Sequence, residues 1–176
     1  MSCIGSLGER LLEKVLVWST RRLGCFDKKT FGGLKSTLMT DHIIAGARDA
    51  FRRIQDEQVS ALAAFDGQLS QIRDTWDRPG GGGGDTRILQ GGRVIEKGGL
   101  NFSAVEGPVG AGLREQMQTK AGRFSATGVS SVLHPHNPHV PIIHMNVRCF
   151  ALDDGTWWFG GGIDLTPHYV VPEEAR

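Results

Sequence analysis

Short β-favouring segments separated by turn signals fill the second half of this sequence, and they constrain the fold more than any other feature. Gly91-Gly92 lies between two such segments and is the signal for a β-hairpin with a two-residue turn. Asp153-Asp154-Gly155 marks a turn between the last two segments. The succession predicts an antiparallel sheet in meander order. The predicted strands are residues 86–89, 94–97, 100–106, 124–134, 141–152 and 156–164.

One long amphipathic helix is predicted before the strands, over residues 41–65. Thr40 or Asp41 stands at its start as a cap, and Gly67 lies just past its end. A weaker helical pattern covers residues 113–120. One long helix and about six strands place the chain in the α+β class, as an antiparallel sheet flanked by helices. The apolar positions of the long helix are Ile43, Ala47, Phe51, Ile54, Leu62 and Phe65.

The first 40 residues differ in character from the remainder. Residues 1–36 carry seven Lys/Arg against three Asp/Glu and include the amphipathic stretch 11–23. This pattern is typical of an organelle transit segment, whereas the two glutamates among these residues favour a variable surface extension. We expect an extension over residues 1–40 and one domain over residues 41–176. The expected location is the cytoplasm, or a mitochondrion or plastid if the extension is a transit segment.

Charge and composition exclude several classes of protein. The formal net charge is +1, so no global field favours nucleic acid or an anionic membrane, and an anionic ligand needs locally placed cations. No apolar run approaches the ~18 residues of a membrane-spanning helix. Cys3, Cys25 and Cys149 are odd in number and far apart, which argues against a disulfide framework or a structural zinc site. The five glycines of residues 80–84 lack the GK[ST] of a phosphate loop.

Functional side chains concentrate in residues 134–148, HPHNPHVPIIHMNVR, which hold four of the six histidines. The prolines exclude a regular helix or strand over residues 134–139 and predict a rigid loop. The strand that follows alternates its side chains between two faces. His144, Asn146 and Arg148 share one face, which has the composition of a lined pocket about 13 Å long. The other face is apolar and is predicted to enter the core: Ile143, Met145, Val147 and Cys149.

The same period of two places Ser130, Val132 and His134 on one face of the preceding strand. If the two strands pair, His134 and His144 can converge. Two imidazoles can serve a divalent metal, or one can donate or accept a proton near neutral pH, although no third ligand stands at a telling spacing. Asp164 follows a glycine triplet and is expected to pair with a cation such as Arg148, or with N–H groups of a ligand.

Four long motifs of this sequence resemble those of oxygen-dependent coproporphyrinogen III oxidase, in the order that this family has them. They are WDRPGGGGG, VIEKGGLNFSAVEG, GVSSVLHPHNPHVPIIHMNVR and WWFGGGIDLTPHY. The resemblance covers residues from about 41 to 176, and motifs of this length are highly specific. It implies a large antiparallel sheet between helical layers, usually a homodimer. It also implies oxidative decarboxylation of two propionates of coproporphyrinogen III to the vinyl groups of protoporphyrinogen IX, with molecular oxygen and no organic cofactor.

The resemblance also implies roles for single residues. The family's substrate contacts match Ser130 and the triplet Asn146, Val147 and Arg148. The histidine matching His144 is the proton donor, and the aspartate matching Asp164 receives the pyrrole N–H groups. The family's divalent metal, whose necessity is disputed, is assigned to histidines matching two residues of this chain. Those two residues are His134 and His144.

The family's second half does not occur in this sequence, including its Lys-x-Trp-Cys and His-Arg-Glu signatures, further histidines and dimer contacts. We therefore expect an N-terminal part of the enzyme with little or no turnover of its own. One alternative is an inactive fragment that retains binding of a tetrapyrrole or a partner. Another is a cupin-like metal oxygenase, since Gly128 precedes His134-x-His136 at the spacing of that fold, although Val140 and Pro141 replace the expected glutamate.

Overall fold

The computed structural model describes residues 37–169, which form a six-stranded antiparallel sheet with two helices. The strands lie in the order β1-β2-β3-β4-β5-β6, each antiparallel to the next, so the predicted α+β class and meander are confirmed. The elements are α1 (Thr37–Phe65), β1 (Ser70–Asp77), β2 (Gly82–Gln90), β3 (Ile95–Pro108), α2 (Ala111–Met117), β4 (Arg123–Pro135), β5 (Ile142–Leu152) and β6 (Trp157–Thr166).

Two of the predicted strands are one strand in the structure. The segments 94–97 and 100–106 both belong to β3, whose central Gly98 and Gly99 remain paired with β4. The hairpin between β2 and β3 is present, but its turn has four residues, 91–94, instead of two. The prediction of a two-residue turn was wrong; the N–H groups of Arg93, Val94 and Ile95 in and after the longer turn bind the Asp66 carboxylate instead of pairing across the hairpin.

Strand β1 was not predicted, because it lacks the alternation that identifies a half-buried strand. Seven of its eight residues are exposed. The glycine run 80–84 forms the β1–β2 turn and the start of β2. Gly82 has a φ of +84°, and a Cβ at Gly84 would overlap the Trp76 ring, so this hairpin requires glycine.

Helix α1 packs its apolar side across one face of the sheet. It begins at Thr37, four residues before the predicted start, and ends as predicted just before Gly67. Arg52 lies over the Phe102 ring, with its guanidinium carbon 4.3 Å from the ring centroid. The main core cluster contains Ile44, Ala47, Phe51, Phe102, Ala104, Val129, Cys149 and Ala151, and a second one contains Val59, Leu89 and Leu100.

A buried glutamine fastens α1 to the sheet. Gln55 is 2% exposed, and its Nε2 donates to the main-chain carbonyls of Asp85 and Leu100, both at 2.8 Å. These bonds join the helix to β2 and β3 in the middle of the apolar interface. Unpaired polar groups are costly there, so the two bonds favour one position of the helix on the sheet.

Two carboxylates support different parts of the sheet. Asp66, directly after α1, accepts the N–H groups of Arg93, Val94 and Ile95 in the β2–β3 turn, at 2.8–3.0 Å. The N–H of Ile95 and its neighbours lower the pKa of Asp66 from 3.8 to about 2. Burial alone would raise the pKa of Asp85, but hydrogen bonds from Arg73 and Arg87 lower it overall.

All described residues belong to one compact unit, residues 35–176. The predicted extension over residues 1–40 lies almost wholly outside the described residues, so the boundary near residue 40 stays a prediction. Neither described helix is both long and apolar enough to span a membrane.

Candidate functional site

Strand β5 carries the predicted split between a polar and an apolar face. Val147 and Cys149 pack against the α1 core cluster, while His144, Asn146 and Arg148 point to the opposite side. Pairing with β4 and β6 brings further polar groups onto that side. We call this surface the polar face, and its members are Ser130, His144, Asn146, Arg148 and Asp164.

The register explains why these residues meet. Asn146 is the pairing partner of Ser130 on β4 and of Gly162 on β6, so all three lie in one row across the sheet. Adjacent partners in an antiparallel pair lie on the same face. The next row in one direction joins His144 to Asp164 on β6, because the partner of each residue is fixed by the same register.

The His144 and Asp164 side chains form a hydrogen-bonded pair. Their Nδ1 and Oδ2 atoms are 3.1 Å apart, and the side chains are 36% and 48% exposed. With Nδ1 protonated, the imidazole donates to the carboxylate and its Nε2 is left for a ligand. The expected pairing of Asp164 with Arg148 was wrong, because the register places Asp164 beside His144 and places Gly160 beside Arg148.

Arg148 is the cation of the polar face. Its Nε donates to Oδ1 of Asn146 at 3.3 Å, and burial lowers the pKa of its guanidinium. A guanidinium titrates so far above neutrality that it stays charged in spite of this shift. Its pairing partners on the two neighbouring strands are Gly128 and Gly160.

Val147 differs from the other predicted substrate contacts. Its side chain packs against the α1 core cluster on the opposite face from Asn146 and Arg148. A ligand on the polar face could meet only its main chain. A substrate contact at Val147 stays a prediction, and on the polar face it could involve only the main-chain atoms of this residue.

The predicted metal pair does not form a complete metal site within residues 37–169. His134 belongs to β4, where it pairs with Lys97, and lies on the polar face one row away from His144. The described residues contain no group of three or more His, Cys, Asp or Glu side chains that could hold a metal ion. Since protein metal sites normally need at least three ligands, the donors described here do not fit a resident metal.

The histidine-rich loop is shorter than predicted and serves the structure. His134 and Pro135 continue β4, so only residues 136–141 connect the strands. The Nε2 atom of His136 lies 3.0 Å from the Gly92 carbonyl oxygen. The main-chain N–H of His136 donates to the Val94 carbonyl. These contacts hold the β2–β3 turn.

One group of residues at the end of the polar face was not recognised from the sequence. Phe124 stacks on Phe150 with ring centroids 5.5 Å apart, and Phe150 contacts Trp158 at 4.6 Å. These rings bound the polar face on the Arg148 side. The signal was present, because Phe124 has the same parity on β4 as Ser130.

Comparison with known proteins identifies the relatives of this chain. A family model described as coproporphyrinogen III oxidase matches residues 47–176. The chain is also similar to a protein named oxygen-dependent coproporphyrinogen-III oxidase from Parasynechococcus marenigrum (strain WH8102). The two are 44% identical over 135 residues, which is 75% of this chain and 37% of that relative. The chain therefore spans less than half the length of the curated relative that it matches.

Proposed function

The chain belongs to the coproporphyrinogen III oxidase family, and from that premise we propose that its polar face binds coproporphyrinogen III for oxygen-dependent decarboxylation. Because the chain belongs to this family, a cupin-like metal oxygenase is no longer proposed. The single observation that carries the proposal is the placement of Arg148, Asn146 and the His144–Asp164 pair on one face of β5 and β6.

Arg148 suits a propionate of the substrate. Its planar guanidinium can bind a carboxylate through two parallel hydrogen bonds, and Asn146 already orients the Nε edge. The glycines beside Arg148 let a flat ring system approach the sheet closely. Ser130 lies in the row of Asn146 and can add a hydroxyl contact.

The His144–Asp164 pair suits the proton transfers of the reaction. Asp164 orients the imidazole through Oδ2, so that Nε2 of His144 can exchange a proton with the substrate. No described residue engages Oδ1 of Asp164, which can accept a pyrrole N–H. The proposal thus gives Asp164 two roles, orienting the histidine and receiving a pyrrole N–H.

Oxygen is the proposed co-substrate, and no step requires an organic cofactor. Each reacting propionate becomes a vinyl group with loss of carbon dioxide, and the molecular oxygen accepts the two electrons and two hydrogens and leaves as hydrogen peroxide. Removal of the pyrrole proton and these hydrogen transfers need a base, a proton source and exclusion of water. The described polar face supplies the first two. It is open to solvent, so we propose that the remainder of the longer family chain closes the site and that the present chain alone turns over little substrate.

Binding of coproporphyrin III, the stable oxidised form of the substrate, tests the proposal. The 176-residue chain is expected to change the porphyrin fluorescence on binding, and Arg148→Ala is expected to raise the dissociation constant about tenfold or more. Arg53→Ala is the matched control, because Arg53 is exposed on α1. Equal affinities for Arg148→Ala and the unsubstituted chain would contradict the assignment, as would absence of binding by the unsubstituted chain.

Turnover tests the catalytic pair separately. In a complete enzyme that carries residues 47–176 of this chain, His144→Ala is expected to lower the decarboxylation rate by about 10²- to 10⁴-fold. An unchanged rate would rule out His144 as the proton donor.

We also propose a homodimer for the complete enzyme and a location in the cytoplasm, or in a mitochondrion or plastid, but no metal at His134 and His144. The family resemblance supports the dimer. For the metal, the described residues supply two histidines without a third ligand. The predicted transit segment, residues 1–36, lies outside the described residues.

A further inference from the structure

The polar face continues from β5 to β3 as a shallow trough across four strands. Arg148 pairs with Gly128 on β4 and with Gly160 on β6, and Gly128 pairs in turn with Ser103 on β3. Partners in adjacent antiparallel strands lie on the same face, so these four residues form one row. We call this row the trough. Between Ser103 and Arg148 its floor is the main chain of a glycine, which lets a ligand approach the sheet closely.

The rows on the two sides of the trough differ in chemistry. On one side lies an apolar row, in which Val105 is 6% and Phe150 is 2% exposed. On the other side lies a polar row. A ligand with an apolar ring body and carboxylates at its rim matches this division. The apolar row is Val105, Ala126, Phe150 and Trp158, and the polar row is Asn101, Ser130, Asn146 and Gly162.

Trp76 closes the trough beyond β3. Trp76 pairs with Gly84 on β2, and Gly84 pairs with Ser103. A Cβ at Gly84 would overlap the Trp76 ring, so the indole lies over this glycine. A ligand held at Arg148 can therefore extend along the trough as far as Ser103. The two positions are two strand spacings apart, which is about 10 Å.

Two side chains of β3 offer hydrogen bonds at this end of the polar face. Asn101 is exposed and Ser103 is half-buried. Neither side chain forms a hydrogen bond with another residue of the described range 37–169. On the opposite face, by contrast, the Thr127 hydroxyl donates to the main-chain carbonyl of Ser103. An amide N–H and a hydroxyl can both donate, and an ionised carboxylate is an acceptor for both.

We propose that Asn101 and Ser103 bind a second propionate of the tetrapyrrole, distinct from the one at Arg148. The proposal rests on the proposed function, because the ligand must first occupy the polar face. Coproporphyrinogen III carries four propionates around its rim, so a macrocycle with one of them at Arg148 has others to place on β3. Asn101 also pairs with Ser130, so a ligand that reaches the Ser130 hydroxyl is one strand spacing from the Asn101 amide. Asn101 and Ser103 would thus favour a ligand with several carboxylates over one with a single carboxylate.

Binding of coproporphyrin III to the 176-residue chain, followed by porphyrin fluorescence, tests the proposal. Replacing Asn101 and Ser103 together by alanine is expected to raise the dissociation constant about tenfold, since two hydrogen bonds to a carboxylate are lost. Asn101→Lys is expected to lower the dissociation constant about tenfold, because a charged donor replaces a neutral one.

Ser125 supplies the matched controls. It lies on β4 and pairs with Ala151 of the main core cluster, so it faces away from the trough. Ser125→Ala and Ser125→Lys should leave the dissociation constant unchanged. Equal tightening by Asn101→Lys and Ser125→Lys would reflect general attraction between an added cation and an anionic ligand, and would contradict a subsite on β3.

The remaining outcomes separate this proposal from the proposed function. If Arg148→Ala weakens binding while the β3 variants bind like the unsubstituted chain, the subsite is overturned and the proposed function stands. Absence of binding by the unsubstituted chain would overturn both. Unfolding cannot tighten binding, so Asn101→Lys decides the question even if the double alanine variant folds poorly.

Discussion

Strands β2–β4 and strands β5–β6 belong to one sheet but differ in how completely this chain covers them. Under α1, Phe102 and Leu100 are at most 1% exposed, and Gln55 satisfies two buried carbonyls. On β6, Ile163 and Leu165 are mostly exposed on one side, while Asp164 is half-exposed on the other. The first region completes its contacts internally. The second does so only at the buried end of β5, residues 149–152, and both of its faces are exposed around Ile163 and Asp164.

The difference separates what holds the fold from what serves function. The identity of a covered residue is constrained by packing, because the interior requires tight complementarity throughout. A half-buried row of His, Asn and Arg beside exposed aliphatic residues contributes little to the folding of this chain. The proposed tetrapyrrole site accounts for the polar row.

The largest expected contrast is between Phe102 and Ile163. Phe102→Ala should lower the free energy of unfolding of the 176-residue chain by about 3–5 kcal/mol, because it opens a cavity in the core. Ile163→Ala should change it by less than about 0.5 kcal/mol. Urea unfolding measures both values. A large loss in Ile163→Ala would mean that β6 is already covered in this chain.

A smaller contrast is expected between two glutamines of α1. Gln55→Leu should lower the free energy of unfolding by about 2 kcal/mol, since two buried carbonyls lose their donor. Gln58→Leu removes an acceptor that is already unpaired and should leave the stability unchanged or slightly raised. The same urea series compares them. Equal losses would show that Gln58 has a partner in solution.

Two adjacent glycines of β6 provide a third contrast. A Cβ at Gly161 would lie 2.6 Å from the Asn146 carbonyl oxygen, whereas a Cβ at Gly162 would meet nothing within 4 Å. Gly161→Ala should therefore lower the free energy of unfolding by about 1 kcal/mol, and Gly162→Ala should not. Thermal unfolding tests this pair. If Gly162→Ala instead weakens coproporphyrin III binding, the ligand approaches the sheet at that glycine.

The smallest expected effect concerns Asp66, whose contribution to the free energy of unfolding is constant near neutral pH and changes only in acid. Its pKa is depressed to about 2 in the folded chain, so its contribution is present above 3.8 and is lost as pH falls towards 2. The lowered pKa of Asp85 acts in the same direction. The free energy of unfolding should fall across this range, and Asp66→Asn should show a shallower fall. Parallel curves for the two proteins would rule out the contribution of Asp66.

The sequence predicted the elements with strong periodicity and missed those without it. Helix 41–65 and the alternation of β5 are set by local patterns, and the helix is confirmed. The apolar face of β5 enters the core only at Val147 and Cys149, because Ile143 is 36% exposed. Strand β1 is polar on both faces, and the glycine run offers no side chains, so neither carries a periodic signal. Their pairing depends on long-range fit, such as that of Trp76 over Gly84.

The sequence predicted which residues belong to the candidate site but not which of them contact one another. Alternation placed His144, Asn146 and Arg148 on one face, as the structure has them. It could not give the register between β5 and β6, which decides that Asp164 meets His144 and not Arg148. A shift of two residues would keep every side chain on its face and change every partner, so the pattern alone cannot distinguish these arrangements.

Because consecutive residues of β5 serve opposite sides of the sheet, the two surfaces share one backbone without sharing side chains. Substitutions can therefore alter the polar face and the apolar face of β5 independently. A change in chain length has the reverse property. One residue inserted or deleted between positions 143 and 148 would turn part of each set to the wrong side at once, so this strand tolerates replacement far better than it tolerates a change of length.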